Sequence, residues 1–223
     1  MKDSEKEKKT GSAPELIETL VTKRIEEGLE YALRTGGMTV VSGPTGRGKT
    51  FTASAWAARQ DPERVKMIRV PSGCSRAILG QTLCRAFGLA ASGPRAIAEA
   101  RIAGAAKRGD LIVVDEAGHL LPRAGRSLAP IELLRDLHDM KGIGVALIFT
   151  DVYMREFAGG PAADYLEQFR GRTTWSVPIP SRIFKSEIEA IAKAFAPDAG
   201  PRLLDLAMKI ASGRAGKLRT LFE

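Results

Sequence analysis

The stretch Val40 to Thr50, V-V-S-G-P-T-G-R-G-K-T, constrains this chain more than any other. It satisfies G-x-x-x-x-G-K-[ST] at every fixed position: Gly43, Gly48, Lys49 and Thr50. A loop of this kind turns its backbone N–H groups inward and wraps phosphate oxygens. Gly43, Gly46 and Gly48 let the main chain bend and approach a ligand closely, where a Cβ would obstruct it. Met38-Thr39-Val40-Val41 reads as a short buried strand, and Phe51 to Gln60 reads as a helix, with neither Gly nor Pro inside it. The helix, starting near Lys49, adds the positive end of its dipole. In such a unit Lys49 reaches the β- and γ-phosphates of a nucleotide, and the Thr50 hydroxyl ligates Mg²⁺. Pro44, Thr45, Arg47 and Phe51 complete the expected cradle.

A second motif fits the first. Leu111-Ile112-Val113-Val114-Asp115-Glu116 is an apolar run that ends in two carboxylates. Four apolar residues predict a strand buried on both faces, and ligands of open α/β sheets sit at the carboxyl ends of strands. Asp115 suits the Walker B role of holding Mg²⁺. Glu116 suits the base that polarises an attacking water. The Asp-Glu form points to the P-loop branch that carries its own catalytic glutamate, and ATP with Mg²⁺ is the expected ligand pair. His119 reads as a packing or hydrogen-bonding residue. Val145 to Thr150 is another apolar strand, and Thr150 at its polar end is expected to contact the γ-phosphate or the attacking water, the sensor 1 role. Arg170 and Arg172 lie just before a last strand, Thr173 to Ile179, where an arginine finger for a neighbouring subunit would lie.

The remaining segments organise around these. Residues 1–12 are polar and read as a disordered arm, 13–180 as the α/β core, and 181–223 as a small helical lid. The helical pattern of Glu15 to Arg34 has Thr22 as its expected N-cap, with Ile25, Leu29, Ala32 and Leu33 on one face. Val65 to Val70 reads as a strand. Ser75 to Phe87 reads as a helix with Ile78, Leu79, Leu83 and Phe87 inward. Pro94 to Arg108 reads as a helix with Pro in its first turn, and Pro130 to Lys141 as one with Leu133, Leu134, Leu137 and Met140 inward. A short helix is expected from Ala162 to Phe169, and lid helices over 186–195, 201–212 and 215–222. In the lid, Lys217 or Arg219 is placed to close onto the phosphates, the sensor 2 role.

Charge and cysteine content narrow the partners. Lys and Arg number 34 against 26 Asp and Glu, a net charge of +8, which suits a polyanion partner or a solvated basic surface. Arg76, Arg95 and Arg101 are the expected DNA contacts, with Arg123, Arg126 or the lid as alternatives. Cys74 and Cys84 are too few for a disulfide framework. With no signal peptide and no apolar run near membrane-spanning length, a cytoplasmic protein without membrane association is expected.

Taken in order, G-P-T-G-R-G-K-T-F-T-A, V-V-D-E-A-G-H-L and the ending S-G-R-A-G-K-L-R-T-L resemble the AAA+ ATPases that regulate transposition. That group includes the Mu phage transposition protein B and the TnsC and TniB proteins. The resemblance runs from about Thr22 to Leu221. It implies a P-loop AAA+ parallel sheet flanked by helices, with a helical lid. It also implies ATP-dependent assembly into a filament or other oligomer on double-stranded DNA, selection of target sites and activation of a transposase. Type II secretion ATPases of the ExeA kind share much of the same pattern, so an ATPase acting on protein only is the alternative. The Mu protein's folded N-terminal DNA-binding domain has no counterpart in this sequence, so DNA contacts are expected of the core itself.

Overall fold

Five strands pair side by side into one parallel sheet, in the order β2-β3-β4-β1-β5. The computed structural model describes residues 16–121, 128–159, 163–195, 200–202, 205, 206 and 209. Within them the elements run α1 (Leu20–Thr35), β1 (Met38–Gly43), α2 (Lys49–Ala57), β2 (Val65–Arg69), α3 (Arg76–Ala86) and α4 (Arg95–Ala105). They continue with β3 (Leu111–Asp115), a 3₁₀ turn (Ala117–Leu120), α5 (Ala129–Lys141), β4 (Gly144–Thr150), α6 (Asp151–Gly159), α7 (Ala163–Arg170), β5 (Thr173–Pro178) and α8 (Lys185–Phe195).

The sheet is covered on both faces, and the strand period of two sorts side chains between them. Val40, Ile112, Val114 and Leu147 face Leu79 and Leu83 of α3, Ile102 of α4 and Leu134 of α5. Val41, Val113 and Ile148 face Ile25 and Leu29 of α1 and Trp56 of α2. Every residue of β1 and β3 is buried. Such strands have no solvent side, which is why β3 reads as a continuous apolar run and β1 as a mostly apolar one. β5 is an edge strand: Thr174, Trp175 and Ser176 are exposed while Val177 is buried.

Register places the strand ends that matter. Gly43 pairs with Thr150, and Arg69 pairs with Asp115. The carboxyl ends of β1, β2, β3 and β4 therefore converge on one edge of the sheet.

Several local expectations need correction. Thr19, not Thr22, caps α1, and Thr22 at the third helical position completes a reciprocal capping box. The Thr22 amide donates to the Thr19 hydroxyl at 3.1 Å, and the Thr19 amide donates to the Thr22 hydroxyl at 2.7 Å. Both residues are threonines three apart, so composition could not separate cap from partner. Ile78 is 40% exposed and Met140 69% exposed. The buried stripe of α3 is centred one step further round, on Leu79, Gly80, Leu83 and Cys84, and Met140 falls in the last turn of α5. Pro94 is the N-cap of α4 and lies outside the helix. The sequence pattern does not predict α6. It begins directly at Asp151, where β4 stops. The expected arm, the loop Pro122 to Ser127, and most of the lid beyond α8 lie outside the described residues.

Close packing of α1 on the sheet depends on Gly144. A Cβ there would lie 2.4 Å from the Ala32 carbonyl oxygen, a backbone atom that has no rotamer to escape into. Gly144→Ala is expected to destabilise by about 1–3 kcal/mol through overpacking. Gly104 in α4 has open space around its position, and Gly104→Ala is expected to gain up to about 1 kcal/mol from helix propensity. Denaturant unfolding of both variants checks the contrast, and equal midpoints would show that α1 yields at Gly144.

Candidate functional site

The loop after β1 is shaped by close approach and by left-handed backbone. At Gly43 a Cβ would sit 2.7 Å from the Ile179 Cβ and 2.8 Å from its carbonyl oxygen. Gly46 and Gly48 take φ of 82° and 81°, values that disfavour any residue with a side chain. Gly48 is the N-cap of α2 and supplies no side-chain cap, so the first amides of α2 face the loop without a side-chain acceptor. Pro44 is half-buried, and Thr45, Thr50 and Phe51 are exposed on the same loop and first turn. Lys49 is 7% exposed, and its ammonium donates to the Gly43 and Pro44 carbonyls at 2.7 and 2.8 Å. Burial pushes the Lys49 ammonium below its ordinary value, and the carboxylates of Asp151, Glu116 and Asp115 oppose that shift. A phosphate at this position would give a buried cation the anion it lacks.

The Thr50 hydroxyl donates to Asp115 Oδ1 at 3.0 Å. Asp115 is 2% exposed, and its Oδ2 has no hydrogen-bond partner among the described residues. Among the described residues the nearest cation to that oxygen is Arg69, whose Nε stands 3.8 Å away, too far for a hydrogen bond. A buried carboxylate oxygen without a donor is costly. A hydroxyl and a carboxylate side by side, one oxygen unsatisfied, match the all-oxygen preference of Mg²⁺. The residues present therefore fit the cation.

Glu116 follows in a left-handed conformation, φ 55° and ψ 37°. Among the described residues it is the one non-glycine at positive φ, and strain of this kind concentrates at functional positions. The turn re-aims the chain, so that Glu116 is partly exposed while Asp115 stays buried. Arg69 Nη2 lies 3.5 Å from Glu116 Oε1. Sequence reasoning missed Arg69. Its signal was its place as the last residue of β2, level with Asp115.

Thr150 is half-buried beside Gly43, and Asp151 next to it is among the carboxylates acting on Lys49. Hence the structure brings Gly43, Lys49, Thr50, Asp115, Glu116 and Thr150 to one edge. His119 packs: its Nδ1 is 2.9 Å from the Val70 carbonyl, and its ring meets Tyr153 edge-on.

Other expected residues lie elsewhere. Arg170 ends α7, and Arg172 precedes β5, whose Thr173 pairs with Met38. Gly43 lies five residues further along β1, about 17 Å at the rise of a strand. The two arginines are thus at the opposite edge of the sheet from the P-loop. Arg172 donates to Asp139 and to the Gln168 carbonyl, both at 2.7 Å, and this holds the Asp139 carboxyl below its ordinary value. Arg76 ties three helices together, through Glu99 at 2.8 and 2.9 Å and Asp136 at 3.3 Å. Arg101 donates to the Ala90 and Ser92 carbonyls. Arg95 is largely exposed, 3.5 Å from Glu99. Arg47 is buried, and its guanidinium bonds to the segment leading into α8. Lys217, with Arg219, Arg123 and Arg126, lies outside the described residues.

The strain at Glu116 has a measurable consequence. Asparagine tolerates left-handed backbone better than glutamate. Glu116→Asn is expected to raise stability by about 0.5–1 kcal/mol, read as a higher unfolding midpoint. An unchanged or lower midpoint would mean that Glu116 is held there without strain.

Known proteins place this geometry. A family model described as an AAA domain matches residues 32–156, more than half of the chain. The fold is similar to RuvB of Thermotoga maritima, at a TM-score of 0.55 and 17% identity over 91% of this chain and 59% of that one. It is similar to a Walker-type ATPase of Pyrococcus abyssi, at 0.63 and 14% over 93% and 67%. It is also similar to the replication initiator DnaA bound to AMPPCP and single-stranded DNA, at 0.60 and 13% over 93% and 61%. This chain thus spans about three-fifths of the length of RuvB. No curated protein sequence matches it. A phosphate loop and an Asp-Glu strand end, adjacent in a sheet of this order and covered by that family match, place the chain in the AAA domain family, with a P-loop AAA+ fold.

Proposed function

We propose that this AAA+ ATPase hydrolyses ATP with Mg²⁺ while assembled as a filament or other oligomer on double-stranded DNA, and that in this state it selects target sites and activates a transposase. The observation that carries the chemistry is the Thr50–Asp115 contact beside Glu116. Lys49 would exchange its two loop carbonyls for phosphate oxygens. Thr50 and Asp115 would hold the cation, whose bound charge offsets that of the phosphates. Glu116 would accept a proton from water as the water oxygen bonds to the γ-phosphorus. The bond from that phosphorus to the β–γ bridging oxygen breaks, giving ADP and phosphate. Thr150, beside the P-loop, would orient the water or the γ-phosphate. Arg170 or Arg172, at the far edge, would serve the site of a neighbouring copy, which makes turnover depend on assembly.

The DNA part of the reading rests on the net charge of +8 and on the motifs shared with transposition regulators. Phosphate-directed binding needs cations without a base-reading element. Of the three arginines expected to contact DNA, Arg95 has the most exposed guanidinium, whereas Arg76 and Arg101 are engaged within the chain. That engagement favours the second reading, an ATPase acting on protein only.

Two measurements test these roles. Lys49→Ala is expected to weaken nucleotide binding at least tenfold, while Glu116→Gln should keep binding and lose about 10²–10⁴-fold in turnover. Normal turnover in Glu116→Gln would remove Glu116 from the mechanism. DNA affinity, measured across a salt series with and without a non-hydrolysable ATP analogue, separates the DNA and protein readings. Tighter binding with the analogue and a steep fall with salt are expected, because assembled protomers pool their phosphate contacts. Equal affinity in both states, or a flat salt response, would transfer the proposal to the protein-only ATPase.

A further inference from the structure

Arg47 occupies an unusual place for a buried charge. It stands between Gly46 and Gly48, both left-handed, in the stretch shaped to wrap phosphates. Its side chain is 1% exposed, and that of its partner Glu187 is 5% exposed. The guanidinium holds three acceptors. Nε donates to the Pro180 carbonyl at 3.1 Å, and Nη2 donates to Glu187 Oε2 at 3.1 Å and to the Arg182 carbonyl at 3.4 Å. Glu187 Oε2 also accepts the Phe184 amide at 2.9 Å, across the turn into α8. One side chain of the P-loop therefore fastens the whole entry to α8, through residues 133 to 140 positions downstream.

Such a contact transmits displacement. A buried ion stripped of its partner is strongly unfavourable, so neither side chain can relax alone. The fork of an arginine also fixes direction, because its donors lie in one plane. Any movement of the Gly46–Gly48 backbone would therefore be carried to Pro180, Arg182 and Glu187. The loop has a reason to move. Lys49 is now satisfied by the Gly43 and Pro44 carbonyls, and a phosphate would compete for those donors and release both carbonyls.

We propose that the Arg47–Glu187 pair is a mechanical link through which phosphate occupancy of the P-loop sets the position of α8. Arg47 is then a positioning residue, and its guanidinium stays with Glu187 when the nucleotide binds. This rests on the reading of the P-loop as an ATP site. The competing role is direct: Arg47 leaves Glu187 and binds a phosphate itself.

Amide hydrogen exchange on the full chain, with and without a non-hydrolysable ATP analogue and Mg²⁺, distinguishes these. The variants are Arg47→Met, Glu187→Met and the double variant, with thermal unfolding recorded for each. Replacing both charges by apolar side chains leaves no stranded ion, and such exchanges are often neutral or stabilising. In the wild type, the analogue is expected to slow exchange in α8, as well as in α2, on the order of tenfold. In the double variant α2 still responds and α8 no longer does. A response in α2 without one in wild-type α8 overturns the link alone. A full α8 response in the double variant overturns it too. Loss of analogue binding in Arg47→Met with tighter binding in Glu187→Met assigns Arg47 to the phosphate instead. No response in α2 of the wild type means that the ATP reading itself has failed, and the link falls with it. Should the double variant melt below the assay temperature, the wild-type comparison of α2 with α8 decides.

Discussion

The parallel sheet, buried on both faces, is the constraint on which everything else in this molecule depends. Its inner strands β3, β4 and β1 have no solvent side, so charged side chains are kept out of their length and appear where they end. Val113 and Val114 precede Asp115 in β3, and Ile148 and Phe149 precede Thr150 in β4, all four fully or nearly fully buried. Because β1 pairs with β4 and β4 with β3, all running the same way, those ends meet at one edge. The phosphate loop after β1 has no other place to lie. The two apolar layers against α1 and α2 on one side, and α3, α4 and α5 on the other, keep that edge in register.

The site built there is held in an incompletely satisfied state. Lys49 is buried and donates to the carbonyls of its own loop. Asp115 Oδ2 is buried without a donor among the described residues. Glu116 sits in a backbone region that glutamate disfavours. Each costs stability in the protein alone, and each is the arrangement that an anion and a hard cation would relieve. Arg69 is a looser feature of the same edge. Its guanidinium is mostly exposed and lies 3.5 Å or more from either carboxylate, so solvent screens it and it adds little to folding. Arg47 is the opposite case, an ion pair shut away from water that binds the loop to a helix far along the chain.

The motifs of the site are legible in the sequence because their chemistry is local. Gly43, Gly46 and Gly48 are spaced by the bend of a loop, and Lys49 and Thr50 by the first turn of a helix, so neighbours in sequence are neighbours in space. The inner strands are legible for a related reason: burial on both faces keeps charged residues out of the run itself. The errors fell where a choice depended on packing partners. Ile78 and Leu79 are adjacent and equally apolar, and only the seating of α3 on the sheet decides which is buried. Thr19 and Thr22 are chemically identical, and the capping box uses both. α6 lacked a signal because it starts at the residue after β4, without a turn between them.

By itself, then, the sequence determined the fold class, the phosphate loop and the two carboxylates, since each is encoded in a run of adjacent residues. The tertiary structure alone decided the pairings across long separations. It brought the Thr50 hydroxyl to 3.0 Å from Asp115 and set Arg69 beside both carboxylates. It put Arg170 and Arg172 at the far edge of the sheet and engaged Arg76 with Glu99 and Asp136. It also turned Arg47, which the motif had placed among the phosphate ligands, towards Glu187. The physical reason is the same throughout. A charged side chain takes the best counter-charge within reach, and what lies within reach is set by the order and register of strands, which no local pattern contains.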